Sequence, residues 1–317
     1  METAIQIIGG LILLFLGGEI LVRGAVALAK DLGLSSFIIG LTVVAYGTSS
    51  PELVISVQSA LDNHPDIALG NVIGSNISNI LCVIGLTAII YPIPIDKKVS
   101  SFDGKVMLAV TAMMIIFCFA GLLNIIAAFI FLGFLVGYTI FIFRLEKQKK
   151  DDMPIKSTEE VEEQIKVQLN RWQAILACLV GMVLLMLGGD TLITGAVTLA
   201  RHFGLSEAVI GVTLIAMGGS APELITSVVA AFHKKSDIVL GNIIGSNMFN
   251  ILGILGITTT FAKIPVDEKF LYVDLPILAA ATIFLVAIML VRPFFSRFIG
   301  CVFFAGYIGY VALQFQG

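Results

Sequence analysis

A stretch of 47 residues occurs twice in this chain. GLSSFIIGLTVVAYGTSSPELVISVQSALDNHPDIALGNVIGSNISN, from Gly33, aligns without a gap on GLSEAVIGVTLIAMGGSAPELITSVVAAFHKKSDIVLGNIIGSNMFN, from Gly204, at a constant offset of 171, and 25 of the 47 positions are identical. The same offset matches Leu16-Gly17-Gly18-Glu19 to Leu187-Gly188-Gly189-Asp190 and Pro94 to Pro265, so the duplication takes in most of both halves. Any fold for one half must therefore serve the other. Both copies are strongly apolar: the chain is 58% hydrophobic and only 13% charged, where a soluble domain carries about a quarter charged residues. That balance excludes a water-soluble enzyme or a nucleic-acid binder and makes the membrane the solvent.

Apolar segments recur at roughly residues 4–29, 37–61, 67–91, 106–121, 124–143, 172–199, 208–232, 238–262, 271–291 and 297–315, ten in all. Five fall in each half, and an odd count sends the second half into the membrane from the opposite side. The expected fold is an all-α integral membrane protein, ten transmembrane helices arranged as two inverted five-helix repeats, an architecture characteristic of secondary transporters. Residues 1–143 form the first repeat and 172–317 the second. Residues 144–171, with seven basic and seven acidic side chains, make a polar midpoint loop or short surface helix. The first apolar run has no basic leader and is long enough to cross about 30 Å of hydrocarbon, so it is expected to remain as the first span and not to be cleaved. Of the 19 Lys and Arg residues, 15 fall on the face that carries the midpoint loop and three, Arg201, Lys263 and Lys269, on the other, with Arg23 inside a span. The positive-inside rule then puts the loop in the cytoplasm and both termini outside a cytoplasmic (inner) membrane.

Of 22 acidic residues only Glu19, Glu52, Asp190 and Glu223 fall well inside expected spans, as two pairs related by the repeat. An ionisable group at membrane depth is a functional candidate by default. Glu52 and Glu223 each follow a proline, in Gly47-Thr48-Ser49-Ser50-Pro51-Glu52 and Gly218-Gly219-Ser220-Ala221-Pro222-Glu223. The proline lacks a donor and clashes with the carbonyl four residues back, so each helix should break there. Unpaired carbonyls at that depth need protein, water or a hard cation as partner, and a glutamate in the first turn beyond the break supplies charge. Two such breaks make an oxygen cage with two negative charges, suited to one divalent cation. A plainer reading competes: both segments fit a capping box, in which Ser and Glu only satisfy backbone donors at a helix start.

The second duplicated element is Gly70-Asn71-Val72-Ile73-Gly74-Ser75-Asn76 with Gly241-Asn242-Ile243-Ile244-Gly245-Ser246-Asn247, followed by Asn79 and Asn250. No Lys follows, which argues against a phosphate loop; glycines four apart permit close helix contact. Ser75 and Asn79, like Ser246 and Asn250, share a helix face and present neutral oxygens either to a cavity or to a neighbouring helix. Glu19 and Asp190 read equally as interfacial charges or pathway groups. The remaining paired acids, Asp66 with Asp237, Asp96 with Asp267 and Asp103 with Asp274, sit at span ends where capping or solvation suffices. Thr42 and Thr213 are expected to bond their own helices. Cys82, Cys118, Cys178 and Cys301 lie in apolar runs without paired spacing and read as packing residues, while the three histidines fall in loops. No resident cofactor, nucleic-acid partner or obligatory protein partner is expected.

The two copies of G-[TG]-S-x-P-E-L and of G-N-[VI]-I-G-S-N resemble the alpha-repeats of the cation/calcium antiporter superfamily, most closely its prokaryotic sodium/calcium exchanger branch. The resemblance implies that the second and third helices of each half line a central site for one Ca2+ or several Na+, while the long first helices slide across the rest. Transferred to this chain, it makes Glu52 and Glu223 ligands of both ions and Thr48 a backbone ligand of Ca2+. Ala45, Ser49, Ser75, Ala216, Ser220 and Ser246 become sodium ligands. Two positions depart from the pattern: Gly219 stands where Thr is frequent, keeping the carbonyl without the hydroxyl, and Asn250 stands where some members carry Asp. The expected activity is Na+-driven Ca2+ export, with a proton-coupled exchanger of the same fold or a passive cation channel as alternatives.

Overall fold

Long apolar runs can satisfy their backbone groups inside a membrane only as helices, and they are helical in the computed structural model, which describes residues 2–152, 169–203 and 219–314. The helices are α1 (Glu2–Leu32), α2 (Ser36–Thr48), α3 (Ser50–Leu61), α4 (Pro65–Ile90), α5 (Lys97–Phe119), α6 (Ile125–Asp152), α7 (Arg171–His202), α8 (Ala221–Phe232), α9 (Ser236–Phe261), α10 (Phe270–Val291) and α11 (Arg297–Gln314). Among the described residues eight of these are long and apolar enough to span, and α2 with α3 forms a ninth span, bent by 44°. Of the seventh expected span, 208–232, the described part is its second half, α8; Thr213 and Ala216 lie outside the described residues. The helix that carries the fifth span continues past residue 143, since α6 runs on through Asp152. Likewise His202 is the last residue of α7 and no loop residue.

The third span of each half forms the centre. The apolar stretch of α9 is 94% buried and that of α4 78%, against 17–50% for the other spanning helices. The periphery carries exposed apolar side chains such as Ile5, Phe15, Phe129, Trp172 and Phe298, a surface matched to lipid. Both central helices widen to π-helical turns at matching places in the repeat, Ser78–Val83 and Asn250–Leu255, a local feature that recurs at functional sites.

The first helices of the two halves, α1 and α7, pack antiparallel along most of their length. Gly10, Gly17 and Gly24 face Gly188, Gly181 and Ala174 in turn, and a Cβ at Gly10 or Gly17 would come within 2.6–2.9 Å of backbone atoms of α7. Seven-residue spacing keeps the glycines on one face, and only glycine allows two backbones so close. Gly181, Gly188 and Gly195, their repeat counterparts, make the reciprocal contacts on Leu21, Leu14 and Ile7.

Contacts between loops follow the expected alternation of faces. Arg171 pairs with Asp31 at 2.6 Å and the Ser35 N–H donates to Glu146 Oε1 at 3.0 Å, joining the first connection to the midpoint. Ile93–Pro94 (β1) pairs antiparallel with Phe294–Phe295 (β2), joining the third connection to the ninth. Tyr91, Ile93 and Pro94 line a small cavity with Ala231, Lys234 and Ser236. On the other face the Ile264 N–H donates to the Leu123 carbonyl at 2.9 Å, joining the fourth connection to the eighth.

The reading of one acidic pair is overturned. Asp103 and Asp274 are neither caps nor solvated ends: they are 6% and 3% exposed. The Tyr138 hydroxyl of α6 donates to Asp103 Oδ1, and Gln314 Nε2 of α11 donates to Asp274 Oδ1 at 2.7 Å. Each carboxylate thus ties the fourth span of its half to the fifth. Asp66 and Asp237 do sit in first helical turns, of α4 and α9, where the helix dipole favours negative charge.

Candidate cation site

The starts of α3 and α8 are built alike. Ser49 (φ −87°, ψ 9°) and Ser220 (φ −89°, ψ 10°) leave helical geometry at equivalent points, with a proline in the first turn of the helix that follows and the glutamate beside it. Neither serine makes a side-chain hydrogen bond that would cap its helix, so the capping-box reading fails. Ser49 Oγ instead donates to Glu223 Oε1, in the opposite half, at 3.0 Å. Reciprocally, Glu52 Oε1 lies 3.9 Å from where a Cβ on Gly219 would be. Each carboxylate is therefore lodged against the other half's break.

Glu52 and Glu223 are each 1% exposed, and Thr48, Ser49, Ser220, Ser246, Asn79 and Asn250 are at most 3% exposed. Burial of this depth normally requires every polar atom to be bonded. Yet Glu52 Oε2, Glu223 Oε2, Ser220 Oγ, Asn79 Oδ1, Asn247 Oδ1 and Asn250 Oδ1 have no hydrogen-bond donor. A concentration of buried oxygens lacking donors matches the coordination chemistry of a hard cation, which wants oxygen ligands and partial or full negative charge. Among the described residues no group of three or more His, Cys, Asp or Glu forms a resident metal site; two carboxylates and neutral oxygens suit an ion that must also leave.

The remaining expected ligands fall around this core with differing freedom. The Ala45 carbonyl accepts from Ser49 N–H at 3.1 Å, from the Thr48 hydroxyl at 3.3 Å and from the Ser246 hydroxyl at 3.4 Å. Those bonds must be exchanged before it can hold an ion. Ser75 is buried on α4, one turn before Asn79. Ala216 is outside the described residues.

Four asparagines that the motif contains but that carried no assigned role hold the site together. Asn71 Nδ2 donates to the Glu52 carbonyl at 3.0 Å and to Ser56 Oγ at 2.9 Å. Asn242, its repeat counterpart, donates to Ser227 Oγ at 3.4 Å and holds its Oδ1 3.3 Å from Thr48 Oγ1, whose one proton it shares with the Ala45 carbonyl. Asn76 and Asn247 meet between α4 and α9. Their recurrence in both copies was the available signal. Glycine contact is equally direct: a Cβ on Gly241 would lie 2.5 Å from the Phe37 carbonyl oxygen of α2, and one on Gly245 2.1 Å from that of Leu41. Thr42 Oγ1 bonds the Ile38 carbonyl at 2.7 Å, as expected.

Outside the cage, Glu19 of α1 pairs with Arg23 at 2.5 Å and with His233, at the end of α8, at 2.7 Å, while its repeat counterpart Asp190 is exposed.

A duplicated, all-helical membrane fold with broken spans and two buried carboxylates at their meeting point defines a secondary transporter of cations, and no enzyme. Comparison with known proteins narrows the class. A family model described as sodium/calcium exchanger protein matches residues 3–144 and again 173–316, and the chain belongs to that family. CaxA of Alkalimonas amylolytica, named as an antiporter, is 36% identical over 100% of this chain and 99% of its own. Sodium/calcium exchanger MaX1 of Methanosarcina acetivorans is 28% identical over 96% of each chain. A solved structure of the sodium-calcium exchanger NCX_Mj, soaked with 10 mM Na+ and no Ca2+, matches with a TM-score of 0.82 at 30% identity over 98% of both chains.

Proposed function

We propose that this chain exchanges Na+ for Ca2+ across the cytoplasmic membrane by alternating access, with Glu52 and Glu223 as the charged ligands of both ions. The observation that carries the reading is the reciprocal lodging of each glutamate against the other half's break, with Oε2 of both left without a donor. One Ca2+ balances the two carboxylates. A further cation would sit uncompensated where unit charges a few ångströms apart interact by about 4 kcal/mol or more, so Ca2+ and Na+ exclude one another. Thr48 adds its backbone oxygen to the Ca2+ ligands, while sodium uses several weaker positions built from the neutral oxygens of Ser49, Ser75, Ser220, Ser246, Ala45 and Ala216, with Gly219, Asn79 and Asn250 completing the cage.

Alternating access is supported by an inequality between the halves. On α8, Val229 is 2% exposed, and Ile225 and Val229 lie close beneath Gly18 of α1. The residue equivalent to Ile225 on α3, Val54, is 58% exposed. The α1–α7 pair therefore lies over α8 but, although Met182 of α7 packs on Gly47 of α2, leaves the equivalent face of α3 uncovered, and the repeat supplies the complementary state in which the cover is exchanged. With the charge asymmetry as guide, the face bearing residues 144–171 is cytoplasmic and both termini are outside.

The test is flux in proteoliposomes. Vesicles loaded with Na+ should take up Ca2+ when external Na+ is removed, and Glu52→Gln or Glu223→Gln should abolish uptake. Uptake driven by a pH gradient without Na+, or uptake indifferent to any counter-ion, would replace this reading by a proton-coupled exchanger or a channel.

A further inference from the structure

We propose that Asn76 is a positioning residue that decides which end of the Asn250 amide meets the transported cation; the proposal rests on the cation site put forward above. An asparagine side chain has nearly the same shape when its oxygen and nitrogen are exchanged, so packing alone cannot orient it. Hydrogen-bond polarity can. The Asn247 backbone carbonyl is only an acceptor, and the Asn76 amide atom 3.3 Å from it must be the donor, Nδ2. That places Asn76 Oδ1 at the other end of the amide. Being only an acceptor, Oδ1 in turn requires that the Asn250 atom 3.0 Å away be Nδ2. With its nitrogen so engaged, Asn250 turns Oδ1 the other way, where it is buried and has no donor.

The direction matters because Asn250 opens the π-helical turn of α9 that packs against both α3, the helix of Glu52, and α4. A carbonyl oxygen there adds a neutral ligand beside the two carboxylates. A flipped amide would offer two N–H groups, whose partial positive charge repels a cation. A carboxylate at this place would leave no flip to be prevented; with Asn250 the orientation has to be imposed from outside. The device operates in one half only. Asn247, the repeat counterpart of Asn76, spends its Nδ2 on the Ile243 carbonyl of its own helix at 2.7 Å, and its Oδ1 receives no donor.

The test is a double-mutant cycle on the purified full chain, with Ca2+ affinity measured by calorimetry. Asn76→Leu removes the acceptor at similar volume and should weaken Ca2+ binding about tenfold, roughly 1.4 kcal/mol. In an Asn250→Asp background, where both side-chain ends are oxygens and Asn76 Oδ1 would face one of them, Asn76→Leu should cause no loss of affinity. Asn76→Ser, too short to reach either partner, repeats the comparison if the leucine variant does not fold. Equal losses in both backgrounds would show a general packing role and overturn the proposal, as would no loss beside wild-type Asn250. Glu52→Gln run in parallel separates the two levels: if it leaves Ca2+ binding intact, the cation site itself is wrong, and if it abolishes binding while Asn76→Leu is silent, only the role of Asn76 is lost.

Discussion

Gly74 and Gly245 occupy the same place in the duplicated motif, yet alanine should be tolerated at one and not at the other. At Gly245 a Cβ would lie 2.1 Å from the Leu41 carbonyl oxygen and 2.7 Å from Ala45 Cβ. Contacts under 3.0 Å are essentially never made by real Cβ atoms, so α9 and α2 must part by about 1 Å, and backbone cannot swing aside as a side chain can. Overpacking of this kind costs about 1–3 kcal/mol. The displacement also falls on Ser246, whose 3.4 Å bond to the Ala45 carbonyl is already long, and on Asn250 one turn further. Gly245→Ala should therefore lower thermal stability in detergent and weaken Ca2+ binding at least about tenfold, since a shift near 1 Å at a site of fixed geometry has effects up to about a hundredfold. At Gly74 a Cβ meets nothing within 4 Å. Gly74→Ala should be neutral or, by restricting the unfolded chain, stabilising by about 0.5–1 kcal/mol. Measured side by side, a Gly245→Ala protein with native melting and native Ca2+ affinity would refute the argument, and so would a Gly74→Ala protein as damaged as its counterpart.

Three further outcomes are expected. Equilibrium Ca2+ binding across a Na+ series should show competition steeper than one-for-one, because several Na+ replace one Ca2+; an unchanged Ca2+ affinity at saturating Na+ would disprove a shared site. A reporter active only in the cytoplasm, fused after Gly317, should be silent, and an active one would reverse the orientation. Tyr138→Phe removes the donor to buried Asp103 and should cost about 1–3 kcal/mol of stability, as leaving a buried acceptor unsatisfied does, while transport by the folded fraction is retained; melting and flux on the same preparation check both.

The repeat, the broken second spans and the two glutamates were all legible in the sequence, because each leaves a local mark: a fixed offset, a proline at membrane depth, a charge among apolar neighbours. The role of Ser49 was less so. Its spacing from Glu52 fits a capping box, and only the fold reveals that its partner is Glu223, 174 positions away. Asp103 was misread for the same reason, since its partner Tyr138 lies on another helix at no characteristic spacing. Least legible was the inequality of the halves. Asn76 and Asn247 are identical letters in identical motifs but bond differently, because each takes its partners from the helices around it, and a local motif does not record those.

The seam between α1 and α7 has a different kind of consequence. Gly10 meets Gly188 and Gly17 meets Gly181, while those partners are themselves the repeat counterparts of Gly17 and Gly10. Such a surface is self-complementary, the signature of a two-fold homodimer. In a dimer of identical chains every change at the seam is made twice and must suit both of its places at once. Joining the halves in one chain lifts that restriction. Arg23 can then stand where the other half has Thr194, and His233 where it has Asp62, so the Glu19–Arg23–His233 cluster exists on one side of the molecule without a twin on the other.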